Sequence, residues 1–408
     1  LSLGCILRSS RLRRDTLAAQ NADVRGASAP RGRRGERAIP SSDGPHAGRA
    51  GAMPRGDREP KAAADHRSQH KVGTPQRILV VRTDRLGETV LTIPLIEALK
   101  QAKPDWTMTV MAHSSLVELL RSLEAVDEVM PEPALGGAWW QRAWRLSRLW
   151  KSWEPQLIVI ANPKKEYHLA AWWAGIPTRV GYRRKWGWAL THRVPDMKAL
   201  GERHELEYNL DLLHVLGMTV PSAPVLRLPV RQEDASAVSR KLELWHLQPH
   251  ERMVAVHPWA SNPRKCWPEE RVQEFIRRLA SQEGIRVALI GGHEETFRVL
   301  EVVPEECRAN IVDVVGRLSL RELVAFLKMV RVLVTSDSGP MHVAAAVGTP
   351  VVALFGTGEP GSQPRRWGPW GREHAIIQKP LEELSVEDVL QALRPYVESP
   401  SDCSVHER

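Results

Sequence analysis

The sequence predicts an α/β protein of two parallel-sheet domains that face a central cleft, behind a disordered N-terminal tail. Three observations carry this reading. Short apolar runs alternate with longer helical segments, the alternation stops at a proline-punctuated stretch and starts again, and polar residues gather where the apolar runs end. Each half therefore reads as a Rossmann-like domain, and sheets of that kind bind ligands beyond the carboxyl ends of their strands.

Residues 1–75 are rich in Arg, Ala, Gly, Pro and Ser and have hardly any apolar periodicity, so they are expected to form a disordered basic tail. Residues 1–76 carry 15 Lys or Arg against 7 Asp or Glu, so +8 of the formal +9 lies there and +1 remains for the rest. The folded part is thus nearly neutral, and a pI of ≈ 9.6 is no argument for a nucleic-acid partner; none is expected. Met53 shortly precedes the first convincing strand, and residues 1–52 are expected to be dispensable.

The first domain is assigned to residues 76–220, with "RILVVRT", "WTMTVMA" and "QLIVIAN" as buried strands and the segments between them as crossover helices. Pro221, Pro224 and Pro229 mark the join, near residues 218–232. The second domain, residues 230–396, repeats the pattern with "MVAVHP", "RVALIGG", "RVLVTSD" and "PVVALFG". A last helix, about Val386 to Tyr396, is expected to pack back across both domains. With 408 residues and 42% hydrophobic content the chain can bury two cores.

Several classes are disfavoured. Cys5, Cys266, Cys307 and Cys403 show no paired or metal-ligand spacing, which fits a reducing cytoplasm without disulfides. No apolar stretch approaches the roughly 18–20 residues needed to cross a bilayer, and "LSLGCILRSS" is too short and interrupted for a signal peptide. A complete GxGxxG fingerprint is missing, which weakens a nicotinamide-cofactor reading.

The chemistry-bearing stretches lie at strand ends. "SDSGPMHVAAAVGTP", Ser336 to Pro350, reads as strand, tight turn, helix and strand. Ser338 suits a cap, Pro340 the first turn, and Ala344 to Ala346 make the helix slim. Its N-terminus could hold an anion, or it is an ordinary capped helix. After the first strand, Gly87 permits a tight turn and Glu88 starts a helix. Glu88 is either a helix-dipole partner or a carboxylate able to take a proton from a sugar hydroxyl.

Lys265 precedes an amphipathic helix headed by Pro268, Glu269 and Glu270, and is either solvated or a phosphate ligand. In "LIGGHEETFR", Glu294 or Glu295 could meet a ribose hydroxyl or cap the helix. Trp139, Ala143, Leu146, Trp150 and Trp153 recur at helical spacing among Arg142, Arg145, Arg148 and Lys151. The favoured reading is a crossover helix covering the sheet, and the rival is a segment at a membrane interface. "GYRRKWGWALTHR" reads as a basic loop whose Arg183, Arg184 and Lys185 could meet an anionic acceptor, or as a ligand-free exposed loop.

Together, "GETVLTIPLIEALK", "KCWPEERVQEF", "SDSGPMHVAAAVGTPVVALFG" and "RRWGPWG" resemble glycosyltransferase family 9, the lipopolysaccharide heptosyltransferases, over roughly Arg77 to Gln378. The resemblance implies the two-domain GT-B fold and an inverting, metal-independent transfer without a cofactor. A heptose-like sugar would pass from a nucleotide diphosphate donor, ADP-heptose by this resemblance, to a lipid-linked lipopolysaccharide inner-core acceptor. It further implies that Lys265, Ser338, Gly339 and His342 hold the donor diphosphate, that Asp337 supports their turn, and that Glu294 or Glu295 faces the ribose. Glu88 stands where the family usually has a catalytic Asp, one methylene shorter, and is the expected general base. Its helix start is expected to favour the ionised form. The expected location is the cytoplasm, on the inner-membrane face. The rival functions are transfer of another sugar to a different surface glycan, and a catalytically weak nucleotide-sugar-binding scaffold.

Overall fold

The computed structural model describes residues 76–398 apart from 185, 246 and 248–251. The expectations for residues 1–75, for Lys185 and for Cys5 and Cys403 lie outside the described residues. Six strands, β1 (Arg77–Arg82), β2 (Thr107–Ala112), β3 (Glu128–Pro131), β4 (Leu157–Ile160), β5 (Thr178–Arg183) and β6 (His192–Pro195), form one sheet in the order β3-β2-β1-β4-β5-β6. All its pairings are parallel. A second parallel sheet contains β7 (Arg252–His257), β8 (Ile285–Leu289), β9 (Ile311–Asp313), β10 (Val332–Ser336), β11 (Val351–Phe355) and β12 (Ala375–Gln378), in the order β12-β11-β10-β7-β8-β9. Both sheets reverse their winding between their first and fourth strands, the place where sheets of this kind open a ligand crevice.

The central strands are apolar on both faces because crossover helices cover both: every residue of β4, β10 and β11 is buried. The helix Trp139–Trp153 is one such cover, its Ala143, Leu146 and Trp150 packing with Leu79, Val81, Ile158 and Ile160 of the sheet. The crossover reading of that helix holds.

Two expectations are corrected. "GYRRKWGWALTHR" is not one loop, since Gly181–Arg183 close β5 and His192 and Arg193 open β6, and only residues 184–191 connect them. Val386–Glu398 does not bridge the domains. Its Val386, Val389, Leu393 and Val397 join the cluster of Val254, Val352 and Leu354 in the second sheet. Arg252 and Arg331 of that sheet's N-terminal edge donate to Val397 O at 3.0 Å and Tyr396 O at 2.7 Å. Burying its own apolar stripe on the adjacent sheet leaves nothing apolar to reach the other domain.

The two domains meet closely. One apolar cluster includes Ile78 and Val80 of the first sheet, Leu226 and Leu228 of the connection, Ala255 and Leu333 of the second sheet, and Met341 of the helix that follows β10. Across the cleft mouth Arg85 donates to Ser261 Oγ at 2.7 Å. Gly201, at φ +62°, lets the chain pass Pro360, whose carbonyl oxygen would lie 1.9 Å from any β-carbon there.

Candidate active site

The first wall of the cleft grows from the end of β1. Arg82 is buried and finds Asp84 at 2.9 Å, which fixes the chain as it leaves the sheet. It then enters a single helical turn, Leu86–Val90, that presents Glu88 half-buried toward the cavity. Burial raises the Glu88 pKa, with Asp84 adding to the rise and Arg82 and Arg85 opposing it. The expected help from the helix start is present, as a backbone hydrogen bond to the Glu88 carboxylate that opposes the rise more than either arginine does, but desolvation outweighs it.

The second wall comes from three strand ends. β10 runs into Asp337, Ser338 and the helix Gly339–Ala346, whose last residues are buried and slim. Ser338 occupies the N-cap position, but its hydroxyl bonds Thr335 Oγ1 at 2.9 Å instead of capping the helix. The expected cap is thus absent, and the helix's first N–H groups receive no side-chain acceptor from it. Lys265, in the short turn Pro263–Lys265 after β7, forms an ion pair with Asp337. Burial raises the Asp337 pKa, and Lys265 and Arg85 oppose that rise.

His342 is buried at 2% exposure with Nδ1 lacking any partner, and burial lowers its pKa to about 3. The ring is therefore neutral at physiological pH and can offer a hydrogen bond without a charge. At the end of β8, Glu295 accepts from Gly292 N at 2.5 Å and so caps its turn, whereas the exposed Glu294 has no side-chain partner among the described residues. Of the two candidate acids, Glu294 is the one left available.

Both walls line one cavity of ≈ 510 Å³. It brings together Glu88, Lys265, Glu294, Glu295, Asp337, Ser338, Gly339 and His342. It does not include Arg183 or Arg184, and Arg184 is ion-paired with Asp196. The cavity also contains Arg85, His257, Ser261 and Trp367, which the sequence reading did not single out. Arg85 could have been found by its place shortly beyond the buried strand β1, and His257 as the polar residue that ends the buried strand β7. His257 is buried, its Nδ1 lies 3.3 Å from Thr335 Oγ1, and burial lowers its pKa to about 4. The walls touch where a β-carbon on Gly87 would lie 2.6 Å from His342 Cδ2.

A second polar cluster sits at the carboxyl ends of β1, β3 and β4. Lys164 Nζ donates to Thr83 Oγ1 at 3.1 Å and to Glu132 Oε1 at 3.3 Å, and Tyr167 shares a hydrogen bond with Thr83 at 2.6 Å while donating to Glu132. Among the described residues, no group of three or more His, Cys, Asp or Glu side chains is placed to hold a metal ion.

Paired parallel domains with an anion-compatible cleft between their strand ends define the GT-B class of architecture. The pattern of glycosyltransferase family 9 (heptosyltransferase) matches residues 169–395. The chain belongs to this family and is a glycosyltransferase. It is 29% identical over 302 residues to lipopolysaccharide heptosyltransferase 2 of Escherichia coli K12, covering 71% of this chain and 85% of that one. Its fold is similar to that of a glycosyl transferase family 9 protein from Veillonella parvula, with TM-score 0.70, 22% identity and coverage of 79% and 97%. It is also similar to E. coli ADP-heptose lps heptosyltransferase II, with TM-score 0.66, 23% identity and coverage of 79% and 98%.

Proposed function

We propose that this glycosyltransferase moves a heptose-like sugar from ADP-heptose to a lipopolysaccharide inner-core acceptor, with inversion and without a metal, at the cytoplasmic face of the inner membrane. The observation that carries the proposal is the contact of the two walls at Gly87 and His342, which sets the Glu88 turn against the Gly339–Ala346 helix start in one cavity. A base and an anion cradle on opposite sides of a sugar carbon are what inverting transfer requires.

In this reading the Glu88 carboxylate takes the acceptor hydroxyl's proton as the oxygen bonds to the anomeric carbon. The bond from that carbon to the diphosphate oxygen breaks on the opposite face, and the nucleoside diphosphate leaves with the electron pair. Lys265 and the uncapped N–H groups of Gly339–Ala346 meet the growing negative charge, and neutral His342 donates to a diphosphate oxygen. Asp337 holds Lys265 in place before the donor arrives. Glu294 faces the ribose. The names of the E. coli relatives support heptose and lipopolysaccharide as the sugar and acceptor.

A donor and acceptor screen with mass detection tests the proposal. Transfer of heptose from ADP-heptose to a heptose-accepting core, unaffected by chelator, is the expected result. Transfer of a different sugar only, or activity abolished by chelation and restored by magnesium, would overturn the corresponding part.

A further inference from the structure

Away from the cleft, the first domain carries a tryptophan-rich face that the transfer reaction does not use. Trp140, Trp144, Trp172, Trp173 and Trp188 are each between 41% and 52% exposed. They belong to the helix Trp139–Trp153, the helix Lys165–Trp173 packed beside it, and the short turn Gly187–Ala189. Ring contacts join these elements: Trp139 to Trp186 at 5.1 Å, Trp186 to Trp188 at 5.8 Å and Trp188 to Trp172 at 5.4 Å between centroids. Trp140 and Trp144 extend the row along the first helix, four residues apart and so on one side of it.

Fold stability does not account for this face. The first helix already buries Ala143, Leu146 and Trp150 on its sheet side, and half-exposed indoles on the other side leave apolar surface in water. The charges on the first helix have one sign. Trp139–Trp153 contains Arg142, Arg145, Arg148 and Lys151 and no carboxylate. Glu166 and Asp196, on neighbouring elements, are ion-paired with Arg142 and Arg184. Lys165 lies 4.6 Å from the Trp139 ring and Arg148 5.2 Å from that of Trp144.

We infer that this face is an interfacial docking surface for an anionic lipid bilayer. Indole rings are favoured at the boundary between headgroups and acyl chains, and cations beside them meet anionic headgroups. A second copy of the chain fits poorly, because a twofold interface would set the Arg145, Arg148 and Lys151 cations of one copy against those of the other. Lys165–Trp173 starts shortly after the carboxyl end of β4, so the docked face adjoins the edge of the sheet that opens toward the cleft. A lipid-linked acceptor would then reach the cavity without leaving the membrane. The inference goes beyond the transfer reaction, and vesicle binding measured without donor or acceptor separates the two.

The test is co-sedimentation of the full chain with vesicles of phosphatidylcholine alone or of equimolar phosphatidylcholine and phosphatidylglycerol, at low and high salt. Binding to the anionic vesicles, weakened by salt, is expected. W140Q/W144Q and, separately, R145Q/R148Q should each reduce it roughly tenfold or more. Leu244→Gln, which removes a 77%-exposed apolar residue elsewhere, should leave it unchanged. ADP affinity in the absence of vesicles, unchanged in all variants, confirms that they are folded. No binding to anionic vesicles, equal loss with Leu244→Gln, or a dimer that W140Q/W144Q dissolves would overturn the inference, the last by making the face an interface between copies.

Discussion

Arg366 of the second domain donates two hydrogen bonds, of 2.8 and 3.0 Å, to Glu205, a carboxylate buried in the first. Lys198 holds the other carboxylate oxygen at 2.5 Å, with Arg82 at 3.6 Å. Burial, the largest influence, pushes the Glu205 pKa up, but Lys198, Arg82 and Arg366 together bring it down to about 2. One carboxylate thus ties three cations and both walls of the cleft.

Replacing it by Glu205→Gln should cost about 3 kcal/mol at neutral pH, the scale of breaking a buried ion pair. The sign with pH follows from a folded pKa below the unfolded value near 4.5. The ion-pair contribution is complete above 4.5 and is lost as pH falls toward 2. Urea unfolding of wild type and variant should therefore show a gap at neutral pH that shrinks near about pH 3. An equal gap at both pH values would show that the charge is not responsible.

Gly87→Ala probes the contact between the walls. Its β-carbon would meet the ring of His342 at 2.6 Å, and that ring is buried and cannot swing aside. Overpacking of this kind costs about 1–3 kcal/mol, and the ring it displaces belongs to the proposed donor site. Lower stability and weaker ADP binding together, by calorimetry, are expected. Undiminished ADP affinity would mean that the cleft does not need this approach.

Lys265→Met should weaken ADP binding by roughly tenfold or more, as expected for one charge-assisted hydrogen bond. The variant also leaves Asp337 without its cation, so Asp337→Asn serves as the comparison. It removes the ion pair while keeping Lys265, and should lose less ADP affinity than Lys265→Met does. If both variants lose affinity equally, Lys265 is a counterion for Asp337 and no more.

Glu88→Gln keeps the shape of the side chain and removes the proposed base, so ADP affinity should hold while turnover falls by roughly 100-fold or more. Glu88→Asp should retain more activity than the Gln variant. Because burial raises the Glu88 pKa, the protonated, inactive form persists to higher pH than for an ordinary glutamate. The acid limb of kcat/KM should accordingly lie above 4.5 and be absent from whatever activity remains in Glu88→Gln. Wild-type turnover in Glu88→Gln would return Glu88 to the role of a helix-start acid.

How much of this was legible varies with position in the sheet. "LIVI" of β4 and "VVALF" of β11 announce themselves because both faces are covered and every position must be apolar. "EVMP" of β3, "HRVP" of β6, "IVD" of β9 and "AIIQ" of β12 went unread because each lies at a sheet edge, pairs once and keeps exposed or half-exposed residues, and "TRVGYR" of β5 went unread inside the sheet because its polar residues break the apolar run. The strand-end polar residues were legible for the same reason as the central strands: a buried run that stops at "SDSGP" or "HPWASNPRK" exposes its next residues at the carboxyl edge.

The sequence by itself determined the parallel two-sheet architecture, which follows from local apolar periodicity, and placed Glu88, Lys265 and the Asp337 to His342 turn at the cleft, since they come just after buried strands. Tertiary structure decided what those groups do with one another. Lys265 finds Asp337 across 72 residues, Ser338 turns to Thr335 instead of its helix, and Glu295 caps while Glu294 stays available. It also decided that burial governs Glu88 and that Glu205 gathers cations from both domains. Partner choice and desolvation depend on distances between segments far apart in the chain, and no local pattern of residue types encodes those distances.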